Sequence, residues 1–217
     1  MSKQSLLGLT MVEIAAKDDA REICRLDLET PLGVVHLAGF AQKPEHRSVI
    51  FGIMSEYLGR PVTAADLVES KENPRPTFPE FDFDINWTHS DGYCVLAYGE
   101  RHSLSRFRLG VDLERFSHKR LHLADRFFSA EEATLIASMD GDCAEVEFFR
   151  LWCRKEAFFK CVGGEFFEGS LRRCMIKNPL HWDASDRLIH FMDLEGLAIG
   201  APMKSALCIA VAEAAVH

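Results

Sequence analysis

The sequence of 217 residues predicts an α+β fold made of two similar halves, each with a long helix packed on a small, mainly antiparallel sheet. Two observations support this. Helix-forming patterns cover residues 44–58 and 145–162, and strand-like segments separated by turn residues follow each of them. The halves meet near residue 110, so we predict an N-terminal subdomain over 1–108 and a C-terminal subdomain over 109–217.

Composition excludes several classes of protein. The net charge is −8, with 33 acidic and 25 basic residues, whereas a nucleic-acid-binding protein usually carries a basic surface. The seven cysteines form no Cys-x-x-Cys pair, which favours reduced thiols in the cytoplasm. No signal peptide is expected at the N-terminus, and the apolar run 206–216 is too short to span a bilayer. We therefore expect a cytoplasmic protein without a membrane segment.

The first half begins with a predicted short helix over 17–28 and a strand over 32–38. The next helix starts at Pro44, carries an apolar stripe and is followed by Gly59. Basic residues in its first turns, among them Arg47, fit either a solvated helix start or an anion site, because helix N-termini favour anions.

A hairpin is predicted to close the first half. Residues 63–68 suit one more helical turn, and 71–79 form a proline-rich loop. Alternation over 83–90 then leads through the turn Asp91-Gly92 into a strand over 93–98. A histidine near such a turn, here His89, usually has a structural role.

The segment 109–114 alternates apolar and acidic residues and therefore predicts a half-buried strand. Asp112 and Glu114 point to one side, where two adjacent carboxylates repel each other unless a positive group lies between them. A hard divalent cation with oxygen ligands would satisfy both. The alternative is a solvated strand face near a turn.

The next two segments join this strand to the second long helix. Residues 115–122 are locally basic and suit an acidic protein partner. Their His118 and His122, four residues apart, favour a solvated face over a metal pair. Further on, Ser129 and Glu132 form a capping box that opens a helix within 124–137.

The helix over 145–162 contains no proline or glycine and ends at Gly163-Gly164. Trp152, Glu156 and Lys160 follow one another at spacings of four and so share one face with Phe148. Glu156 and Lys160 either form an ordinary helix ion pair beside the core residue Trp152, or Glu156 supplies a third carboxylate for the cation. Strands are predicted after it over 171–176, 188–192 and 206–212.

Together these stretches read Gly-Val-Asp-Leu-Glu over 110–114 and Trp-Cys-Arg-Lys-Glu-Ala-Phe-Phe-Lys over 152–160. The sequence here resembles the 4'-phosphopantetheinyl transferases of the surfactin-synthetase type, whose signatures are Gly-(Ile/Val)-Asp-(aliphatic)-Glu and Trp-x-x-Lys-Glu-Ala-x-x-Lys. The resemblance extends over roughly 43–165. It implies two pseudo-twofold subdomains, the first for coenzyme A and the second for the metal site and catalytic helix.

The resemblance implies transfer of 4'-phosphopantetheine from coenzyme A to a serine of an acyl or peptidyl carrier protein, with release of 3',5'-ADP. Mg²⁺ would be held by Asp112, Glu114 and Glu156. Lys160 would stabilise or protonate the leaving phosphate. Glu156, or a metal-bound water that it polarises, would accept the serine proton.

The resemblance also implies contacts to the coenzyme A phosphates and nucleotide by Arg47, Arg75, His89 and Ser90, with Lys160 at the leaving phosphate. Arg75 stands before Pro76 where the family usually has Gly-Lys/Arg-Pro, with Pro74 in place of the glycine. Glu132 is a further catalytic candidate, since the family places this glutamate near the metal, although the capping box alone would explain it. We expect a monomer that acts on coenzyme A and a carrier protein.

Two other functions fit the same residues. A metal-dependent coenzyme A phosphodiesterase or pyrophosphatase could use three carboxylates and a lysine without a carrier protein. A non-catalytic homologue would bind coenzyme A or the carrier and transfer nothing, although the intact acidic and basic residues favour a catalyst.

Overall fold

A computed structural model describes residues 11–12, 23–43, 45–69, 75–100, 107–163, 171–181 and 188–213. Over these ranges the chain forms four layers in the order helix, sheet, sheet, helix, with one apolar core between each pair of layers. The predicted α+β fold with two similar halves is confirmed.

The first sheet is antiparallel, and in the described residues its strands have the order β1-β2-β3-β5-β4. The strands are β1 (Met11–Val12), β2 (Cys24–Thr30), β3 (Gly33–Ala41), β4 (Phe83–Ser90) and β5 (Tyr93–Glu100). Helix α1 (His46–Leu58) buries Ile50, Ile53 and Met54 against the outer face of this sheet. Its predicted start at Pro44 lies outside the described residues. A short 3-10 turn over Ala64–Asp66 replaces the predicted extra helical turn.

The second sheet, also antiparallel, has the strand order β6-β9-β8-β7 in the part of the chain described. Its elements are β6 (Phe107–Arg115), α2 (Ala124–Phe127), α3 (Ala130–Ala137), α4 (Gly141–Val162), β7 (Leu180–His181), β8 (Leu188–Glu195) and β9 (Ser205–Glu213). The β9 side chains that face α4 are small: Ala206, Cys208, Ala210 and Ala212. Their small size lets the long helix lie close to the sheet.

The two sheets share the middle core, to which alternate residues such as Leu37 of β3 and Val111 of β6 contribute. Strands β4 and β6 run side by side, and β4 side chains accept hydrogen bonds from β6 amides. Asp84 accepts from Leu109 at 2.6 Å and Asn86 from Val111 at 3.0 Å. Ser90 accepts from Arg115 at 3.2 Å. The offset between the partners is 25 residues in all three bonds, so the strands are aligned in the same direction and in fixed register.

Two sequence predictions of local structure were wrong. Residues 24–28 belong to β2 rather than to a helix, because Leu26 and Leu28 alternate into the middle core; residues 17–22 lie outside the described part. Residues 171–176 form no strand. Their backbone groups instead bond the side chains of Lys155, which donates to the Arg173 carbonyl, and Glu132, which accepts from the Met175 amide.

The remaining predicted helices and strands are present with shifts of a few residues, and the helix predicted within 124–137 is divided into α2 and α3. Residues 71–74 of the predicted loop and Gly164 lie outside the described part. Among the residues that the structure describes, no helix is both long enough and apolar enough to cross a membrane.

Candidate active site on strand β6 and helix α4

Strand β6 and helix α4 approach each other directly at Gly110. A Cβ atom added there would lie 1.9 Å from the Ala157 carbonyl oxygen and 2.6 Å from the Cys161 amide nitrogen. Only glycine therefore fits at this crossing. The following side chains on the same face of β6, Asp112 and Glu114, then point at the helix.

Asp112, Glu114 and Glu156 form an acidic cluster. One carboxylate oxygen from each lies within 4.8 Å of the others. Asp112 is almost fully buried, whereas Glu114 and Glu156 are partly exposed. Thus the strand alternation and the helix spacing bring all three predicted carboxylates together.

The pKa values of the two glutamates in the cluster are raised. Burial, and next the charge of Asp112, raises the pKa of Glu156 to about 7. Burial and the charge of Asp112 also raise the pKa of Glu114, although Arg120 donates to its Oε2 at 2.9 Å. Negative charge in this cluster therefore exceeds what its neighbours neutralise.

Lys160 supplies the cation nearest to Asp112 in the described chain. Its Nζ lies 2.6 Å from Asp112 Oδ1 and 4.0 Å from Glu156 Oε2. Burial alone would lower the pKa of Lys160, but the charge of Asp112, their hydrogen bond and the charge of Glu156 together raise it. The ammonium is thus held in its charged form beside the carboxylates.

Two further side chains orient the cluster. Trp152 Nε1 donates to Glu156 Oε1 at 3.0 Å, one helical turn away, as the shared stripe predicted. Thr88 of β4 donates to Asp112 Oδ1 at 3.1 Å and accepts from Lys160 at 3.3 Å. The sequence analysis did not identify Thr88. Alternation along β4 places Thr88 on the same face as Asn86, but it does not show that this face lies beside β6.

The cluster has the properties of a site for a hard cation. Asp112 Oδ2 is the one buried side-chain oxygen or nitrogen in the described residues without a hydrogen-bond partner. Leaving a carboxylate oxygen buried and unpaired is costly. Oxygen donors alone, at this spacing, suit Mg²⁺. The three carboxylates therefore fit the ion that the sequence resemblance implied.

Comparison with known proteins agrees with this geometry. Residues 108–191 match the model of the 4'-phosphopantetheinyl transferase superfamily. The chain is 32% identical over 97 residues to the 4'-phosphopantetheinyl transferase gsp of Aneurinibacillus migulanus, covering 45% of this chain and 38% of that protein. The chain is therefore similar to 4'-phosphopantetheinyl transferases over the part that contains the acidic cluster.

Two more of these transferases show the extent of the relationship. The transferase psf-1 of Bacillus pumilus is 33% identical over 98 residues, which is 45% of this chain and 40% of that protein. The transferase HetI of Nostoc sp. is 30% identical over 132 residues, or 55% of this chain and 54% of that protein. The chain thus matches about two fifths to one half of the length of these relatives.

Apart from Lys160, the residues expected to contact coenzyme A lie outside the acidic cluster. Arg47 is half-exposed on α1, pairs with Glu69 at 2.9 Å and lies 5.9 Å from the Trp87 ring. His89 is exposed at the end of β4, and the hydroxyl of its neighbour Ser90 bonds the β6 backbone. Of these residues, Arg47 and His89 are therefore the exposed ones.

Arg75 lies in a different environment from the one expected. Its guanidinium is largely buried and contacts Asp84 and the backbone carbonyls of Leu109, Lys160 and Cys161. All of these partners belong to the protein itself, at the junction of β4, β6 and α4.

Glu132 is likewise fully buried, and both of its carboxylate oxygens have partners. Oε2 accepts from Lys155 at 2.7 Å and from the Ser129 amide at 2.8 Å, and Oε1 accepts from the Met175 amide at 2.8 Å. The predicted capping box is present. Glu132 is not a member of the acidic cluster. Of the two histidines at 118 and 122, His122 is exposed, and the side chain of His118 is outside the described set.

Proposed function

We propose that this protein transfers the 4'-phosphopantetheine group of coenzyme A to a serine of an acyl or peptidyl carrier protein. The observation that carries the proposal is the unpaired, buried oxygen of Asp112 between two further carboxylates, with the Lys160 ammonium beside it. Similarity to transferases over the residues that build this cluster supports it.

Asp112, Glu114 and Glu156 would hold Mg²⁺. When bound, the ion neutralises pyrophosphate charge as the bond between the two phosphates breaks. The serine hydroxyl forms the new bond to the phosphorus of phosphopantetheine, and 3',5'-ADP leaves. Lys160 stabilises or protonates the departing phosphate, which its charged form and partial exposure allow.

Glu156 is the proposed acceptor of the serine proton. A carboxylate in this position can accept the proton directly or through a metal-bound water that it polarises. In the metal-free protein, burial together with the charge of Asp112 raises the pKa of Glu156 to about 7. The Trp152 bond fixes one of its oxygens and leaves the other directed toward Lys160. Glu132 is not assigned a step, because both of its oxygens are already bonded inside the protein.

We further propose that residues 1–108 contact the coenzyme A phosphates, through Arg47, His89 and Ser90, and that residues 109–217 carry the metal and the catalytic helix. The exposure of Arg47 and His89 supports this division. We also propose that the protein is a monomer. A location in the reducing cytoplasm is proposed because all seven cysteines, each within the described ranges, are free thiols.

The test is incubation of the protein with coenzyme A, Mg²⁺ and an apo carrier protein, followed by mass spectrometry of the carrier. A gain of about 340 Da, the mass of one phosphopantetheine group attached covalently, is expected. Asp112→Asn should abolish the gain, and the exposed Glu80→Gln is the matched control. Release of 3',5'-ADP without a carrier would instead identify a coenzyme A hydrolase, and no product with any carrier would refute the proposal.

A further inference from the structure

We propose that Arg75 is a positioning residue that fixes the C-terminal turn of α4, and through it the Lys160 ammonium, rather than a ligand of the coenzyme A nucleotide. The inference depends on the proposed transferase function for its kinetic test. It differs from the role that the family resemblance implied for Arg75, which was a contact to coenzyme A.

The last turn of any helix leaves carbonyl oxygens without partners inside the helix. In α4, which ends at Val162, the Arg75 Nη1 group contacts the carbonyls of Lys160 and Cys161. Arg108 Nη1 donates to the Val162 carbonyl at 2.9 Å. Two arginines from outside the helix therefore satisfy its terminal carbonyls, and a cation there also suits the negative end of the helix dipole.

Arg75 also connects this turn to both strands beneath it. Nη1 donates to the Leu109 carbonyl of β6 at 2.8 Å, and Nη2 pairs with Asp84 of β4, whose side chain is 1% exposed. The Asp84 carboxylate in turn accepts from the Leu109 amide. The planar guanidinium can reach β4, β6 and α4 at once, which a lysine ammonium on a flexible stem cannot reproduce.

This arrangement bears on chemistry because Arg75 contacts the backbone of the very residue whose side chain enters the acidic cluster. The Lys160 carbonyl bonds Arg75, while the Lys160 Nζ bonds Asp112 and Thr88. A shift of about 1 Å at the helix end would move the ammonium away from Asp112, and misplacement of this size can cost about 100-fold in rate.

The decisive experiment compares Arg75→Gln and Arg75→Lys with the exposed Arg60→Gln as control, using coenzyme A and dephospho-coenzyme A as alternative substrates. Positioning predicts that kcat falls about 30- to 100-fold in Arg75→Gln while KM for coenzyme A stays within about twofold. The loss should be the same with dephospho-coenzyme A, and Arg75→Lys should recover little. A raised KM that disappears with dephospho-coenzyme A, together with recovery by lysine, would overturn the inference.

Two further measurements keep the result interpretable. Arg75→Gln leaves the buried Asp84 carboxylate without its cation. The double variant Arg75→Gln/Asp84→Asn removes that negative charge as well as the Arg75 contacts to α4, and its kcat should remain as low as that of Arg75→Gln. Amide hydrogen exchange at residues 158–163 should accelerate at least tenfold in both variants and not in Arg60→Gln. Exchange does not require turnover, so unchanged exchange overturns the inference even if the wild-type protein transfers nothing.

Discussion

Replacement of Glu156 by glutamine should stabilise the metal-free protein at alkaline pH. The carboxylate is partly buried beside Asp112 and Glu114, and burial followed by the Asp112 charge raises its pKa from 4.5 to about 7. At about 1.4 kcal/mol for each pKa unit, ionising Glu156 in the folded chain costs about 3 kcal/mol more than in the unfolded chain. Glutamine keeps the size of the side chain and an oxygen for the Trp152 bond.

The sign of the pH dependence follows from proton binding. Between pH 4.5 and 7 the folded protein retains the Glu156 proton that the unfolded chain has lost, so the free energy of unfolding falls as the pH rises. This stabilising contribution is complete below pH 4.5 and is lost above 7. The advantage of Glu156→Gln over wild type should therefore grow by about 2–3 kcal/mol between pH 5 and pH 8.

Urea unfolding in EDTA at several pH values measures this difference, with Glu80→Gln as a control for removing one exposed carboxylate. Adding Mg²⁺ at pH 8 should stabilise the wild type and have much less effect on Glu156→Gln, because binding to the folded state alone raises its stability. Parallel stability curves for wild type and Glu156→Gln across this pH range in EDTA would refute the repulsion inferred for the cluster.

Three other substitutions test the surrounding structure. Asp112→Asn should lower the rate of transfer by about 100-fold or more and leave the circular dichroism spectrum unchanged. Even replacement of a residue that only hydrogen-bonds a metal ligand costs about 10- to 100-fold in activity. Retained transfer would show that Asp112 is not part of the site. Gly110→Ala should destabilise the fold by about 1–3 kcal/mol in urea unfolding, because the new Cβ meets the Ala157 carbonyl, and a neutral effect would mean that α4 can move away freely. Lys155→Met should cost about 3–5 kcal/mol by leaving the buried Glu132 carboxylate without its cation. Adding Glu132→Gln to the same chain should recover part of this loss, and no recovery would contradict the pairing.

The sequence predicts the centre of the candidate site well because the relevant patterns are local. Alternation along 109–114 determines that Asp112 and Glu114 share a face, and a spacing of four places Glu156 and Lys160 together on α4. These features need only the geometry of one strand and one helix, and the structure brings the predicted side chains together.

The contributions of β4 and the loop before it could not be predicted in the same way. Thr88 lies beside Asp112, and Arg75 beside the end of α4, only because β4 aligns with β6 at a fixed offset. That alignment depends on side-chain-to-backbone bonds between segments far apart in sequence, for which periodicity gives no signal. Similarly, the capping box explains why Glu132 starts a helix, but its pairing with Lys155 depends on how α3 packs on α4.

Charge balance distinguishes the structural ionic groups under α4 from those of the candidate site. The buried Glu132 pairs with Lys155, and the partly buried Asp193 of β8 pairs with Arg154, so each of these two carboxylates has a cation and further donors. Such matched groups hold the helix in place and leave nothing free to bind. In the acidic cluster three carboxylates share Lys160 and the partly exposed Arg120, and one buried oxygen has no donor. A folded chain tolerates this excess negative charge at a cost in stability that a bound cation would remove. This imbalance, more than the presence of acidic residues, is what distinguishes the β6–α4 face as the candidate site.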